Sequence, residues 1–217
     1  MEEIFNKNIV SFMPRTVIVA DGSFPVHPVP LEVLNKAEVI VCCDGSAENL
    51  VEYGLAPDAI VGDMDSLSEI LKNRFADRIY IDSNQETNDL TKAVIWCCES
   101  GYLDLDIIGA GGKREDHTIG NISLLAEYAK TAKVRMVTDT GIFMPFQSNC
   151  KIETYKGQQV SVFSIAPSTE ITSKGLLYPL IRRKLNNWWE GTLNEAAGDS
   201  IELEFTGGPV LVFLKFL

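Results

Sequence analysis

Residues 57–66 read Pro57-Asp58-Ala59-Ile60-Val61-Gly62-Asp63-Met64-Asp65-Ser66. The apolar run Ala59-Ile60-Val61 is what a strand covered on both faces presents, and the glycine after it releases the chain into a turn carrying two aspartates. The next stretch, Ser66–Phe75, spaces its apolar residues as a helix does. A buried strand handing over to a helix through an acidic turn is the repeating unit of an α/β sheet. The same unit recurs in both directions. Thr16–Ala20, Val39–Cys42, Ile79–Ile81, Leu105–Ile108 and Val134–Val137 read as further strands, and Ala47–Tyr53, Thr87–Glu99 and His117–Lys130 as further helices. The pattern predicts a mostly parallel sheet with flanking helices.

The texture changes near residue 140. Gln159–Ile165 and Ser200–Phe205 alternate polar with apolar residues, and Pro209-Val210-Leu211-Val212-Phe213-Leu214 is a continuous apolar run. Gly157, Pro167, Gly175, Pro179, Gly191, Gly198 and Gly207-Gly208 punctuate this half as turns. The expected architecture is therefore an α/β domain over residues 1–140 and a small antiparallel β-sandwich domain over residues 141–217. Twelve of the thirteen aspartates precede residue 141. Several fall where a strand should end, which is where open α/β sheets bind ligands, so the chemistry belongs to the first domain.

Composition narrows the function classes. The 217 residues carry 19 Lys+Arg against 30 Asp+Glu, a net charge of −11, which argues against a surface built to neutralise nucleic-acid phosphates. No apolar run is long enough to suggest a membrane span, and Met1-Glu2-Glu3 is acidic where a secretory leader would be basic. Cys42, Cys43, Cys97, Cys98 and Cys150 are odd in number and partly adjacent, as expected of reduced, buried thiols in a cytoplasmic protein.

Three clusters can carry chemistry. Asp63 and Asp65 project to one side if the chain stays extended, and carboxylates that close repel unless a proton or a cation lies between them. Mg²⁺ suits such a pair; the competing reading is that Asp65 or Ser66 caps the next helix. In Asn84-Gln85-Glu86-Thr87-Asn88-Asp89-Leu90-Thr91-Lys92, a helix starting at once would put Gln85, Asp89 and Lys92 on one face, suited to a metal-bound polyphosphate. The alternative is a surface Asp89–Lys92 ion pair. In Gly109-Ala110-Gly111-Gly112-Lys113-Arg114-Glu115-Asp116-His117 a strand enters a glycine-rich basic turn that could hold phosphate, with Arg114 as a clamp, or Asp116 merely caps a helix beginning at His117. It is neither a Walker A loop nor Gly-x-Gly-x-x-Gly. Asp44-Gly45-Ser46 closes another strand. With only His27 and His117, neither a hydrolytic triad nor a His-ligated zinc is expected.

Taken in order, Asp44-Gly45-Ser46, Gly62-Asp63-Met64-Asp65-Ser66, Gln85-x-Thr87-x-Asp89-Leu90-x-Lys92-Ala93, Gly109-Ala110-x-Gly112-x-Arg114-x-Asp116-His117-x3-Asn121, Gly175-Leu176-Leu177-Tyr178-Pro179-Leu180 and Asn194-Glu195 resemble thiamine pyrophosphokinases. The resemblance implies an α/β domain followed by a β-sandwich, a homodimer, and transfer of a diphosphate group from ATP to the hydroxyl of thiamine, giving thiamine diphosphate and AMP. By position it implies Asp63, Asp65 and Asp89 as Mg²⁺ ligands. Asp44, Gln85, Thr87, Lys92, Gly112, Arg114 and Asn121 would surround the nucleotide, and Asp116, Tyr178 and Asn194 would meet thiamine, with Tyr178 reaching the other subunit's site. The chain departs from the family pattern at Ser46, at Ala47-Glu48-Asn49, at Lys113 in place of a glycine, at Leu193 and at Tyr178 in place of Trp. Trp188 or Trp189 could supply that indole, or the pair could pack on its own domain. Competing functions are a haloacid-dehalogenase-like phosphohydrolase, a non-catalytic thiamine- or nucleotide-binding module, and the same transfer to another small alcohol.

Overall fold

The structure is a computed structural model that describes residues 16–217, so Met1-Glu2-Glu3 lies outside the described residues. Two compact units make up the described chain: residues 16–124 with 131–139 form one, and residues 125–130 with 140–217 form the other.

In the first unit the chain runs β1 (Thr16–Val19), α1 (Pro28–Asn35), β2 (Val39–Cys43), α2 (Ser46–Glu52), β3 (Ala59–Gly62), α3 (Glu69–Arg74), β4 (Ile79–Ile81), α4 (Asp89–Glu99), β5 (Asp104–Ile108), α5 (Glu115–Tyr128, its residues from Leu125 counting with the second unit) and β6 (Lys133–Val137). All of these strands pair in parallel, in the order β6-β5-β1-β2-β3-β4. The chain builds outward from β1 through β4, then returns to the far side of β1 as β5. That reversal is a topological switch point, with the loops after β1 and β5 side by side at the strands' carboxyl ends. Val17, Ile18, Val41, Ile60 and Ile107 are inaccessible to solvent, as are Leu50, Ala93 and Cys97 from the covering helices. Each large side chain buried this way stabilises the fold by about 1.5–3 kcal/mol.

Helix starts follow their caps. Ser68 Oγ accepts from Leu71 N at the start of α3, and Asn88 Oδ1 accepts from Thr91 N at the start of α4. The helix expected over Ser66–Phe75 therefore begins only at Glu69, and neither Asp65 nor Ser66 is its cap. Helix α1 was not expected from its sequence, which carries Pro28 and Pro30. Both prolines lie in the first turn, where no intrahelical N–H is needed, and the His27 ring caps it by accepting from Val29 N. A buried ion pair joins two strands of this unit: Asp106 of β5 is wholly buried and receives Nε and Nη2 of Arg135 on β6, each at 2.7 Å.

The second unit contains β7 (Gly141–Phe146), β8 (Cys150–Glu153), β9 (Gln159–Ser164), β10 (Glu170–Lys174), β11 (Arg183–Lys184), β12 (Asn194–Glu195), β13 (Ser200–Thr206) and β14 (Val210–Lys215). They form two antiparallel runs, β12-β9-β14-β7 and β11-β10-β13-β8. Val160, Val162, Val210, Val212 and Leu214 from the first run share one core with Ile152, Ile171, Ile201, Leu203 and Phe205 from the second, which is a β-sandwich. On the opposite face of the first run, the rings of Phe143 and Phe213 lie 4.6 Å apart, and Trp188 meets Phe163 edge-on at 5.8 Å. Trp188 thus packs on its own unit, whereas Trp189 is 73% exposed. All five cysteines are free, and among the described residues no helix is long and apolar enough to cross a membrane.

Candidate active site

The carboxyl ends of β2 and β3 lie side by side, and both end on strained backbone. Asp44 follows β2 at φ 39° and is 2% exposed; Met64 follows β3 at φ 67°. Left-handed conformations cost a non-glycine residue of order 1 kcal/mol or more and collect at functional sites. Because of the turn at Met64, Asp63 and Asp65 do not sit on extended chain, and the strand period of two does not govern where they point. They still converge: one carboxylate oxygen each from Asp44, Asp63 and Asp65 lies within 4.8 Å of the others. Gly62, at φ 158°, permits the approach, because a Cβ there would come 2.9 Å from the Asp44 Cβ and 3.3 Å from Asp89 Oδ1.

Hydrogen bonds fix the trio. Ser66 N donates to Asp44 Oδ2 at 3.2 Å, Ser66 Oγ donates to Asp65 Oδ1 at 2.9 Å, and Asp63 accepts from Asp65 N and from Gln85 Nε2. The Gln85 amide holds Asp63 below the usual carboxylate range, helped by the Asp65 N–H and by Lys92. Asp44 behaves oppositely. Burial, joined by the charges of Asp89 and Asp65, pushes its carboxyl up to about 6 against the pull of the Ser66 N–H. Asp44 Oδ1 is buried with no hydrogen-bond partner. A buried, unpartnered carboxylate oxygen facing two more carboxylates is a set of hard donors short of positive charge. The set fits a small divalent cation such as Mg²⁺.

The second cluster flanks the trio. Because α4 starts at Asp89, Gln85 lies in the preceding loop and does not share a helical face with Asp89 and Lys92. It reaches the trio from that loop. Lys92 Nζ bonds Asp89 Oδ1 at 2.9 Å with its side chain only 3% exposed, so this is no surface ion pair. Burial works against the Lys92 charge, but the bond to Asp89 and the charges of Asp89, Asp63 and Asp82 outweigh it and hold the ammonium above its ordinary range. Thr87 Oγ1 is buried without a hydrogen bond. Asn121 accepts from Asn88 Nδ2 and donates to the Ala110 carbonyl, tying α5 to the loops before α4 and after β5.

The third cluster follows β5. Arg114 and Asp116 are exposed and bond each other through Nε–Oδ1 at 3.1 Å and Nη2–Oδ2 at 2.6 Å. Helix α5 begins at Glu115, so Asp116 belongs to its first turn and does not cap a helix starting at His117. Its bond from Arg114 holds its carboxyl below the ordinary range. Gly112 turns the loop at φ 87°. Lys113 bonds Asp21, at the end of β1, at 2.9 Å. Asp21 was not among the residues expected at the site, although Asp21-Gly22 repeats the strand-ending pattern of Asp44-Gly45.

Tyr178 and Asn194 lie in the β-sandwich unit. Asn194 is buried, and its amide is spent on backbone: Oδ1 accepts from Tyr178 N and Glu195 N, and Nδ2 donates to the Tyr178 carbonyl. Neighbouring bonds, Leu177 N to Glu195 O and Leu180 N to Ser173 Oγ, lock the same turn. The Tyr178 ring is left 64% exposed on a fixed backbone.

Two family models match in succession. One, described as thiamin pyrophosphokinase, catalytic domain, matches residues 31–138, and the other, thiamin pyrophosphokinase, substrate-binding domain, matches residues 141–213. The chain belongs to the thiamin pyrophosphokinase family. It is similar to the thiamine pyrophosphokinase of Bacillus subtilis (strain 168), 27% identical over 172 residues that cover 75% of this chain and 80% of the relative. It is also similar to thiamine pyrophosphokinase 1 of Oryza sativa subsp. japonica, 28% identical over 176 residues that cover 67% of each. The crystal structure of the Bacillus subtilis enzyme matches with a TM-score of 0.76 at 22% identity over 92% of this chain and 98% of that one, and that of the Enterococcus faecalis family protein with 0.77 at 19% over 94% and 99%. At these identities the structural likeness speaks for the fold. The catalytic-domain match takes in the acidic trio and the clusters around it, and the substrate-binding match takes in Tyr178 and Asn194.

Proposed function

We propose that this chain transfers the diphosphate group of ATP to the hydroxyl of thiamine, releasing AMP. The observation that carries the reading is the convergence of Asp44, Asp63 and Asp65 at adjacent strand ends, with a buried Asp44 oxygen lacking any partner. Mg²⁺ held by these three, with Asp89 beside them, would neutralise triphosphate charge and polarise its phosphorus–oxygen bonds. The resemblance implied Asp63, Asp65 and Asp89 as ligands; in this reading Asp44 stands with Asp63 and Asp65, and Asp89, bonded to Lys92, borders them.

The remaining groups bind and orient. Lys92, Gln85 and Arg114 suit phosphate oxygens, and Thr87, Gly112 and Asn121 shape the loops around the nucleotide. The thiamine hydroxyl oxygen attacks the β-phosphorus, forming one P–O bond as the bond to the α,β-bridging oxygen breaks. AMP leaves with the electron pair, and the hydroxyl proton passes to solvent. Asp116, with its carboxyl held ionised by Arg114, is a weak base and serves as a hydrogen-bond acceptor facing the cationic substrate. Tyr178 offers an exposed aromatic face to the thiazolium, and Asn194, having no free amide atom, acts by positioning Tyr178. Leu177, Tyr178, Ile181 and Leu193, all exposed on the second unit, support assembly as a homodimer. Five free cysteines suit a cytoplasmic setting.

Incubation with ATP, Mg²⁺ and thiamine, with nucleotides resolved by chromatography, is expected to give AMP and thiamine diphosphate in equal amounts. ADP or free phosphate would point to a kinase or phosphohydrolase instead, and absence of turnover to a binding module.

A further inference from the structure

The loops at the switch point are closed onto each other. Beyond β1 and β5, Ala20 N donates to the Ile108 carbonyl, Gly22 N to that of Gly109 and Ser23 N to that of Gly111, at 2.6–2.9 Å, extending the β1–β5 pairing past the strand ends. The approach is close enough that a Cβ on Gly22 would collide with the Gly109 and Gly111 carbonyl oxygens. Across the top of this zipper Lys113 Nζ meets Asp21 Oδ1 at 2.9 Å, joining residues 92 positions apart in sequence. The pair stands beside the acidic trio: Asp21 Oδ2 lies 3.7 Å from where a Cβ on Gly45 would sit, next in sequence to Asp44. The carboxylates at the strand ends are thus bordered by two lysines, Lys92 bonded to Asp89 and Lys113 bonded to Asp21.

An ammonium has three N–H donors, and Asp21 takes one. The side chain is 53% exposed, so the other two donors are open to a ligand at the mouth of the site. On a long flexible stem such a charge is ordinarily diffuse, but Asp21 and the zipped loops fix where it stands. Resting on the diphosphotransferase reading above, we propose that Lys113 is a further nucleotide-binding residue, donating to phosphate oxygens of ATP, and that Asp21 is the positioning residue that holds it there.

The test uses the full chain with Mg²⁺-ATP, measuring nucleotide affinity by calorimetry without thiamine and KM for each substrate at saturation of the other. Lys113→Ala should weaken ATP binding about tenfold, the worth of one charge-assisted hydrogen bond, and raise KM for ATP with KM for thiamine unchanged. Lys113→Arg should restore most of the affinity. Asp21→Ala should cost less, and the double variant should be no weaker than Lys113→Ala alone, because Asp21 works through Lys113. Unchanged ATP affinity in Lys113→Ala, or additive losses in the double variant, would overturn the proposal. If the wild-type chain binds Mg²⁺-ATP but makes no thiamine diphosphate, the transfer reading fails while the calorimetric arms still decide the role of Lys113.

Discussion

Asp65→Asn should fold as the wild type does and lose nearly all turnover. Asp65 is exposed, its side chain accepts from Ser66 Oγ, and asparagine keeps both the shape and an oxygen acceptor. The substitution removes one negative charge from three carboxylates that lie within 4.8 Å. Loss of a metal ligand is expected to lower kcat by about a hundredfold or more and to move half-saturation by Mg²⁺ upward, so that excess Mg²⁺ recovers part of the rate. Circular dichroism and thermal melting check the fold, and the Mg²⁺ dependence of AMP release checks the cause. Wild-type turnover at low Mg²⁺ would mean that the cation is held elsewhere.

The largest stability effect is expected far from any ligand, at Arg135. Asp106 is wholly buried and its bonds come from the Arg135 guanidinium. Arg135→Met leaves that carboxylate buried without its strongest partner, a change that costs about 3–5 kcal/mol. For a chain of this size that lowers Tm by roughly 6–20 °C. Burial pushes the Asp106 carboxyl up to about 6 even against the pull of Arg135. A carboxyl whose folded pKa exceeds its unfolded value contributes stability below the unfolded pKa and loses it as pH rises through the folded one. In Arg135→Met that window moves higher, so the variant should melt at a higher temperature near pH 5 than near pH 8. Adding Asp106→Leu removes the stranded charge and should return most of the loss, as hydrophobic replacement of buried ion pairs often does. A single variant as stable as wild type, or a loss insensitive to pH, would show that the pair carries little.

The parallel strands were legible because burial on both faces demands apolar runs, and Val17-Ile18-Val19, Ile40-Val41-Cys42 and Ile60-Val61 have few other readings. The strand Val210–Lys215 announced itself in the same way, whereas Glu170–Lys174, Arg183–Lys184 and Asn194–Glu195 did not. These are short and polar, and only pairing with distant partners makes them strands. Helix Pro28–Asn35 was hidden by prolines whose tolerance depends on their place in the first turn. At the site, the residue types were legible and their grouping was not. Motif order suggested Asp63, Asp65 and Asp89, but β2 and β3 are neighbours in the sheet, and it is Asp44 that completes the trio while Asp89 turns to Lys92. Asp21 was invisible for the same reason: its meaning comes from Lys113, brought near by the pairing of β1 with β5.

The most direct test of the metal-centred account is a crystal of the protein grown with Mn²⁺ and ATP, with anomalous scattering used to locate the ion. The expected result is a peak at Asp44, Asp63 and Asp65, with phosphate and water oxygens filling the remaining positions. A peak outside the trio, or the three carboxylates turned away from any shared ion, would contradict it.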